Sequence, residues 1–255
     1  MGYKPLQHVL DDLKGAPLPP SGYHEFVFQW DRDFFVERAD MIGFKGGRVL
    51  DAGCGFGNFS YALAQANHHV VAIDQSRQQC EIAKVLLERW HAPNVTVEIQ
   101  SLPRLPYEDG SFDFIWCAGV LQFVDRTVTL ETFHRLLKPG GRIYIMTNSW
   151  GRWLYKAALA HANGDVKLRD RCLAVLLAQK GTAGNLHGNY IDLPDAGAVC
   201  SAAGFKLIAA DAEGMLDLSG RGRRLPMFSE HHLVSQDGED AVRLSGNIEF
   251  VAERL

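Results

Sequence analysis

Hydrophobic positions along this chain follow two different periods. Short, nearly continuous apolar runs occur at 48–53, 70–76, 95–101, 111–119 and 142–148. Runs such as Val70-Val71-Ala72-Ile73 and Ile143-Tyr144-Ile145-Met146 predict strands buried on both faces. Between them lie stretches of helical period at 59–68, 77–92 and 128–137, the second stopped before Pro93 and the third before Lys138-Pro139-Gly140-Gly141, read as a turn. Strands alternating with helices at this spacing predict βαβ units, hence an α/β parallel sheet covered by helices on both faces. A further helix at 193–204 and strands at 205–212 and 246–254 complete the pattern.

Two segments break the alternation. Residues 1–44 divide into a proline-containing arm (Pro5, Pro17, Pro19, Pro20) and an aromatic segment of helical period from Tyr23 to Phe44. Residues 149–190 hold two helical stretches, Arg152–Ala162 and Val166–Gln179, and then a glycine-rich link. That insertion is too short for its own core and reads as a helical lid. The chain thus divides into an N-terminal arm and cap helix (1–44), a nucleotide-binding core (45–148), the lid (149–190) and the rest of the core (191–255). A polar stretch at 214–245, with Arg221, Arg223, Arg224, His231 and His232, has the length of a functional loop.

The chemistry concentrates in Asp51-Ala52-Gly53-Cys54-Gly55-Phe56-Gly57-Asn58, which follows a strand and opens a helix. Glycines there let a ligand approach the backbone, and ligands of open α/β sheets sit at the carboxyl ends of strands. A dinucleotide fingerprint needs G-x-G-x-x-G; here the spacing is G-x-G-x-G. A carboxylate at Asp51 would repel a pyrophosphate and attract an ammonium or sulfonium group. At ~4 Å and an effective dielectric near 20 that attraction is about 4 kcal/mol before desolvation. Asp74, ending the second strand, is placed to accept from ribose hydroxyls, or else to cap the helix beginning at Ser76 or Arg77.

The stretches VLDAGCGFGNFS, VVAIDQS, LPYEDGSFDFIWCAGVLQFV and LLKPGGRIYIM resemble, in order and spacing, the class I S-adenosylmethionine-dependent methyltransferases, specifically the small-molecule group. The resemblance covers about residues 47–147, with AAGFKLIAADA and GNIEFVAER similar to the family's sixth and seventh strands. It implies a Rossmann-like fold: a seven-stranded, mostly parallel sheet with an antiparallel last strand. It also implies site residues. Asp51, Gly53, Cys54, Gly55 and Gly57 would line the methionine side of S-adenosylmethionine, and Asp74 would hold the ribose. Gln75, Ser101 and Leu102 would flank the adenine, and Cys117, Gln122 and Phe123 would face cofactor and acceptor. A serine stands at 101 where the family usually has an aspartate; it offers a hydrogen bond without charge.

The acceptor is expected to be a small molecule methylated on O or N, with S-adenosylhomocysteine as the other product. His187 in the lid is the candidate base or acceptor ligand, weighed against a solvated loop histidine. Tyr23, Trp30, Phe123 and Tyr190 are candidate acceptor contacts, the first two because a polar tip on an aromatic body suits a pocket wall. The three arginines at 221–224 either hold an anionic acceptor or form a solvated basic loop.

Composition narrows the alternatives. With 255 residues, 47% hydrophobic and 22% charged, and a net charge of −4, the chain is an ordinary globular one without a global pull toward nucleic acid or anionic membranes. No N-P-P-[YF]-type tetrapeptide follows the fourth strand, which argues against a macromolecule methyltransferase on the same core. A non-catalytic S-adenosylmethionine-binding module is the other alternative, and an NAD-dependent dehydrogenase is disfavoured by the sign of Asp51. The five scattered cysteines predict reduced thiols in a cytoplasmic protein, not a disulfide framework or zinc site. Neither a signal-type apolar core nor a run long enough to span a membrane is present, and His231-His232 lacks the partners a metal site would want.

Overall fold

A computed structural model describes residues 11–15, 27–177, 190–225 and 246–255. Seven strands form one sheet: β1 (Arg48–Ala52), β2 (His69–Asp74), β3 (Val95–Ile99), β4 (Phe112–Ala118), β5 (Leu137–Asn148), β6 (Phe205–Ala212) and β7 (Asn247–Arg254). Their order is β3-β2-β1-β4-β5-β7-β6. Strands β1 to β5 pair in parallel, while β7 inserts antiparallel between β5 and β6, as expected of the last strand.

The two-residue period of a strand sends neighbouring side chains to opposite faces. Val49, Tyr144, Met146 and Val251 enter the core on one face of the sheet, and Leu50, Ile143, Ile145, Phe250 and Ala252 enter the core on the other. The first face is covered by α1 (Arg32–Ile42) and α2 (Asn58–Ala64), the second by α4 (Arg126–Leu136) and α7 (Ala196–Ala202). Helix α3 (Arg77–Arg89) joins β2 to β3, and its Cys80, Ile82, Ala83 and Leu86 are fully buried. Helices α5 (Trp150–Ala162) and α6 (Val166–Leu177) pack against each other in the segment read as a lid.

Local chemistry sets the helix starts. Asp31, Ser76 and Asp125 are N-caps whose side chains accept from the backbone N–H of Phe34 (3.0 Å), Gln79 (3.3 Å) and Val128 (3.1 Å). Asp31 thus starts the helix that the described part of the aromatic segment forms over Arg32–Ile42. The turn expected at Lys138–Gly141 is instead the first part of β5, where the register against β4 shifts between Phe112 and Phe114. A Cβ on Gly141 would stand 2.8 Å from the Lys138 carbonyl oxygen, so the chain is as tightly folded there as in a turn.

The described part of the polar stretch after β6 is tied down. Arg223 pairs with Asp40 of α1 (3.0 Å) and Asp217 (3.4 Å), while Leu216 and Leu225 are buried against α1. Arg221 is exposed, 4.0 Å from Asp40. These two arginines anchor a loop and do not line the cleft described below. Among the described residues, no helix is long and apolar enough to cross a membrane.

Candidate functional site

The strand order reverses direction at β1: β2 and β3 follow on one side, β4 and β5 on the other. A crevice opens at such a switch, beyond the carboxyl ends of the strands. Here it forms between the glycine turn after β1 and Ala118-Gly119 after β4, and it has two compartments that share Gly53, Gly55, Ala118, Gly119 and Phe123.

The turn is held by backbone bonds. The N–H groups of Gly53 and Cys54 both donate to the Ile73 carbonyl (2.8 Å each), and that of Gly57 to the Cys54 carbonyl (2.9 Å). Gly53 has φ +85°, and a Cβ there would lie 2.2 Å from Val120 Cγ2. Gly57 has φ +83°, and its Cβ would press on Leu87 and Ala83 at 3.2–3.3 Å. Gly53 is thus demanded both by conformation and by close approach to the β4 loop, and Gly57 by helix packing.

The first compartment is a cleft of about 320 Å³. Asp74 is its polar centre. Its carboxylate accepts from the backbone N–H of Gly55 (3.1 Å) and Ser76 (2.8 Å). With the Gln79 amide nitrogen turned toward it, the carboxylate accepts from Gln79 as well (3.0 and 3.1 Å). Burial raises Asp74 above the usual carboxylate range, against the pull of these backbone N–H groups. The cap of α3 is Ser76 and not Asp74, which instead links the glycine turn to the start of that helix. Gln75, Gln79, Gln100 and Leu102 complete this end, with Ile73, Val120 and Val124 as apolar wall. Ser101 is exposed, donating to the Leu102 carbonyl (3.2 Å), and Gln100 lines the cleft instead. No lysine or arginine lines this compartment among the described residues.

Asp51 and Cys117 stand behind the wall. Asp51 is buried and accepts from Ser60 Oγ (2.6 Å). Burial pushes its carboxyl up to about 7, Ser60 pulls it down, and Asp74 pushes it up. Its charge is therefore a titrating one near neutrality, not the permanent carboxylate the sequence suggested. Burial likewise pushes the Cys117 thiol up to about 12, so it packs as a neutral side chain. Cys54 is raised well above the usual thiol range, first by its bond with Cys80 and then by burial.

The second compartment, about 200 Å³, is part aromatic and part carboxamide. Phe35, Phe56, Phe59, Phe123 and Met146 supply the apolar wall, and Asn58, Gln122, Asn148 and Asn247 the polar groups. Asn148 and Asn247 face each other across the end of the β5–β7 ladder. Gln122 is buried, donating to the Gly119 carbonyl (2.8 Å) and accepting from Thr147 Oγ1 (3.3 Å). Arg152, from the first turn of α5, is the charged member of this wall.

Of the residues expected from sequence, Asp74, Gln75 and Leu102 line the first compartment, Cys54 and Gln122 the second, and Gly53, Gly55 and Phe123 both. Trp30 stacks on Phe34 (4.4 Å between centroids), and from the same segment Val27 and Phe35 reach the cleft. Tyr190 is buried beside a separate groove between α4 and α7, and its carbonyl accepts from Arg126 (3.3 Å). His187 and Tyr23 lie outside the described residues. Gln79, Gln100, Asn148, Arg152 and Asn247 were not singled out from sequence; only Gln100, next to the serine that departs from the family pattern, had a local signal.

Beneath the second compartment lies a buried charge cluster. Arg38 of α1 donates to Glu249 of β7 (3.0 Å), and Tyr144 donates to the same oxygen (2.6 Å). The backbone N–H groups of Gly214 and Leu216 satisfy the other oxygen (2.9 Å each). Asn247 donates to Glu213 (2.8 Å), whose carboxylate is 3.8 Å from Arg38. This cluster ties the N-terminal helix and the loop after β6 to the strand that carries Asn247.

Residues 49–141 match the family described as a methyltransferase domain. A ubiquinone/menaquinone biosynthesis C-methyltransferase of Geobacter sp. strain M21 is 35% identical over 123 residues, which cover 46% of this chain and 51% of that protein. A ubiquinone biosynthesis O-methyltransferase of Xanthomonas oryzae pv. oryzae strain PXO99A is 36% identical over 118 residues, 45% of this chain and 47% of that protein. The chain thus spans about half the length of the curated relatives it matches. Among solved structures, a SAM-dependent methyltransferase from Aquifex aeolicus aligns with a TM-score of 0.54 at 16% identity, covering 89% of this chain and 90% of that one, and shares the fold. Residues 49–141 thus match a methyltransferase domain, and the fold is that of the Aquifex aeolicus SAM-dependent methyltransferase.

Proposed function

We propose that this protein transfers a methyl group from S-adenosylmethionine to an O or N atom of a small-molecule acceptor. The observation that carries the reading is the two-compartment cleft, whose halves meet at Gly53 and Gly119. Asp74 in one half and the aromatic–carboxamide wall in the other give a place for each reactant, side by side.

The residues present suit this cofactor. The first compartment holds a carboxylate and three glutamine amides and no cation among its described lining, which favours a nucleoside over a polyphosphate. When bound, the cofactor supplies a methyl group already activated on a sulfonium sulfur and leaves as S-adenosylhomocysteine. Asp74 would accept from the ribose hydroxyls, Gln75, Gln100 and Leu102 would flank the adenine, and the turn at Gly53–Gly57 would run along the methionine portion. The contribution of the chain is then to hold the acceptor atom in line with the methyl carbon and exclude water, worth several kcal/mol of barrier.

The two relatives each match a little under half of this chain and are named for methylation at carbon and at oxygen. The shared core therefore does not choose the acceptor; the second compartment and the segments around it do. A hydroxyl acceptor needs a base, and His187 is our candidate. The cytoplasm is the proposed location, since all five cysteines are free thiols.

Calorimetric titration with S-adenosylmethionine, S-adenosylhomocysteine and NAD, repeated on Asp74→Ala, tests the donor half. Micromolar binding of the two sulfur nucleosides, weakened in the variant and absent for NAD, is expected. NAD binding, or none, refutes the reading. Binding without label transfer from methyl-tritiated cofactor to any compound of an acceptor screen would favour a non-catalytic module.

A further inference from the structure

The polar side chains of the second compartment divide by whether the chain already engages them. Gln122 commits its amide nitrogen to the Gly119 carbonyl (2.8 Å) and its oxygen to Thr147 Oγ1 (3.3 Å). Asn247 donates to Glu213 (2.8 Å), and Arg152 has a partner of its own within the chain. Asn58 and Asn148 differ from these three. Both line the compartment, and each is 7% exposed. Neither carboxamide has a hydrogen-bond partner among the described residues, and neither is sealed in the core, so both amides face the compartment.

Rigid elements hold the two in place. Asn58 opens α2 directly after the glycine turn, and Asn148 ends β5 in register with Asn247. The Asn148 backbone carbonyl is fixed by the N–H of Ile191 (3.0 Å). Neither amide serves the local fold: the N-cap of α2 is Gly57, and the β5–β7 ladder is made by backbone groups. Native proteins leave few buried polar groups unpaired, and a ligand is one reason to keep them.

A carboxamide presents an acceptor oxygen and two N–H donors side by side. A carboxylate can only accept, so it would meet the N–H groups and leave the amide oxygens facing oxygen. An ammonium or amidinium can only donate, so it would meet the oxygens and leave the N–H groups bare. A neutral amide, lactam or hydroxyl does both, and leaves no desolvated group unpaired. The rest of the wall, with Phe35, Phe59 and Met146, suits a flat apolar body.

We propose that the methyl acceptor is an uncharged, flat molecule whose polar end both donates and accepts hydrogen bonds, and that Asn58 and Asn148 hold that end. Its body lies against Phe35, Phe59 and Met146. This inference deepens the methyltransferase reading and rests on it for the word acceptor, but the preference for a neutral polar end can be measured without turnover.

The experiment titrates the protein, saturated with S-adenosylhomocysteine, with two sets of near-isosteric probes at pH 8: benzamide, benzoate and benzamidine, then cinnamamide, cinnamate and cinnamamidine. In at least one set the amide is expected to bind about tenfold more tightly than both the acid and the amidinium. Asn148→Leu should remove that preference, and Asn148→Asp should place the amidinium first. Affinity for S-adenosylhomocysteine should stay within about twofold in both variants, because Asn148 does not line the first compartment; this also reports that they fold. An acid or amidinium that matches its amide in both sets, no binding by any of the six, or an order unchanged in either variant would each overturn the proposal. If S-adenosylhomocysteine itself fails to bind, the donor reading fails, and the same six titrations on the bare protein still decide the role of Asn148.

Discussion

Asp51 offers a sharp test of how this cleft handles charge. Its buried carboxyl titrates near pH 7 and sits two residues before the turn glycine shared by both compartments. If the ionised form attracts the cationic end of S-adenosylmethionine, affinity must follow its ionisation. With a pKa of about 7, Asp51 is ionised to about 9% at pH 6 and about 76% at pH 7.5. Binding should therefore tighten by up to about 8-fold across that interval, or about 1.2 kcal/mol. Asp51→Asn keeps the shape and can still accept from Ser60, but it cannot ionise. Its affinity should be lower at pH 7.5 and follow only the other titrations, those of Asp74 and the ligand amine, which the wild type shares. The assay is calorimetry at the two pH values on both proteins. Equal pH slopes for both would refute the reasoning. Stability supplies an independent sign. A carboxyl whose folded pKa exceeds its unfolded value near 3.9 costs nothing below pH 4, and stability is lost as pH rises toward and through 7. Asp51→Asn escapes that loss, so its thermal midpoint should exceed that of the wild type increasingly from pH 4 to pH 8, by at most about 4 kcal/mol in free energy.

Gly53→Ala forces a Cβ to 2.2 Å from Val120 at φ +85° and should cost about 2–3 kcal/mol of stability and most cofactor affinity; an unchanged thermal midpoint would show that the β4 loop yields freely. Asp74→Ala leaves the N–H groups of Gly55 and Ser76 without their acceptor and should weaken S-adenosylhomocysteine binding by at least about tenfold, about 1.5 kcal/mol or more. Arg38→Met strands Glu249 in the core and should destabilise by about 3–5 kcal/mol in urea unfolding. Adding Glu249→Gln should recover part of that loss, and no recovery would mean the pair is not what Arg38 supplies. His187→Ala should slow turnover on a hydroxyl acceptor more than it weakens cofactor binding; full turnover would remove His187 as the base.

What could be read in advance follows the range over which each interaction acts. The β1 turn is local: Gly53, Gly55 and Gly57 answer to φ angles and close contacts, and Asp74 ends a strand whose apolar run announces it. The seven strands and the helices between them were legible for the same reason, since period and caps are properties of a few neighbouring residues. The charge state of Asp51 was not, because it depends on burial beneath the sheet end and on Ser60, one helix away. The second compartment is less local still. Asn148 and Asn247 meet only because β7 returns antiparallel beside β5, and Arg38 finds Glu249 at a separation of 211 residues. An isolated asparagine or arginine carries no mark of the partner that tertiary structure will give it. The first compartment is thus built largely from the turns that follow β1 to β4, while the second adds to the glycine turn and α2 side chains from α1, the ends of β5 and β7 and the first turn of α5. A shared core with divergent acceptors follows from that division. Substitutions in α1, α5 or β7 can reshape the acceptor wall while the glycine turn and Asp74 stay as they are.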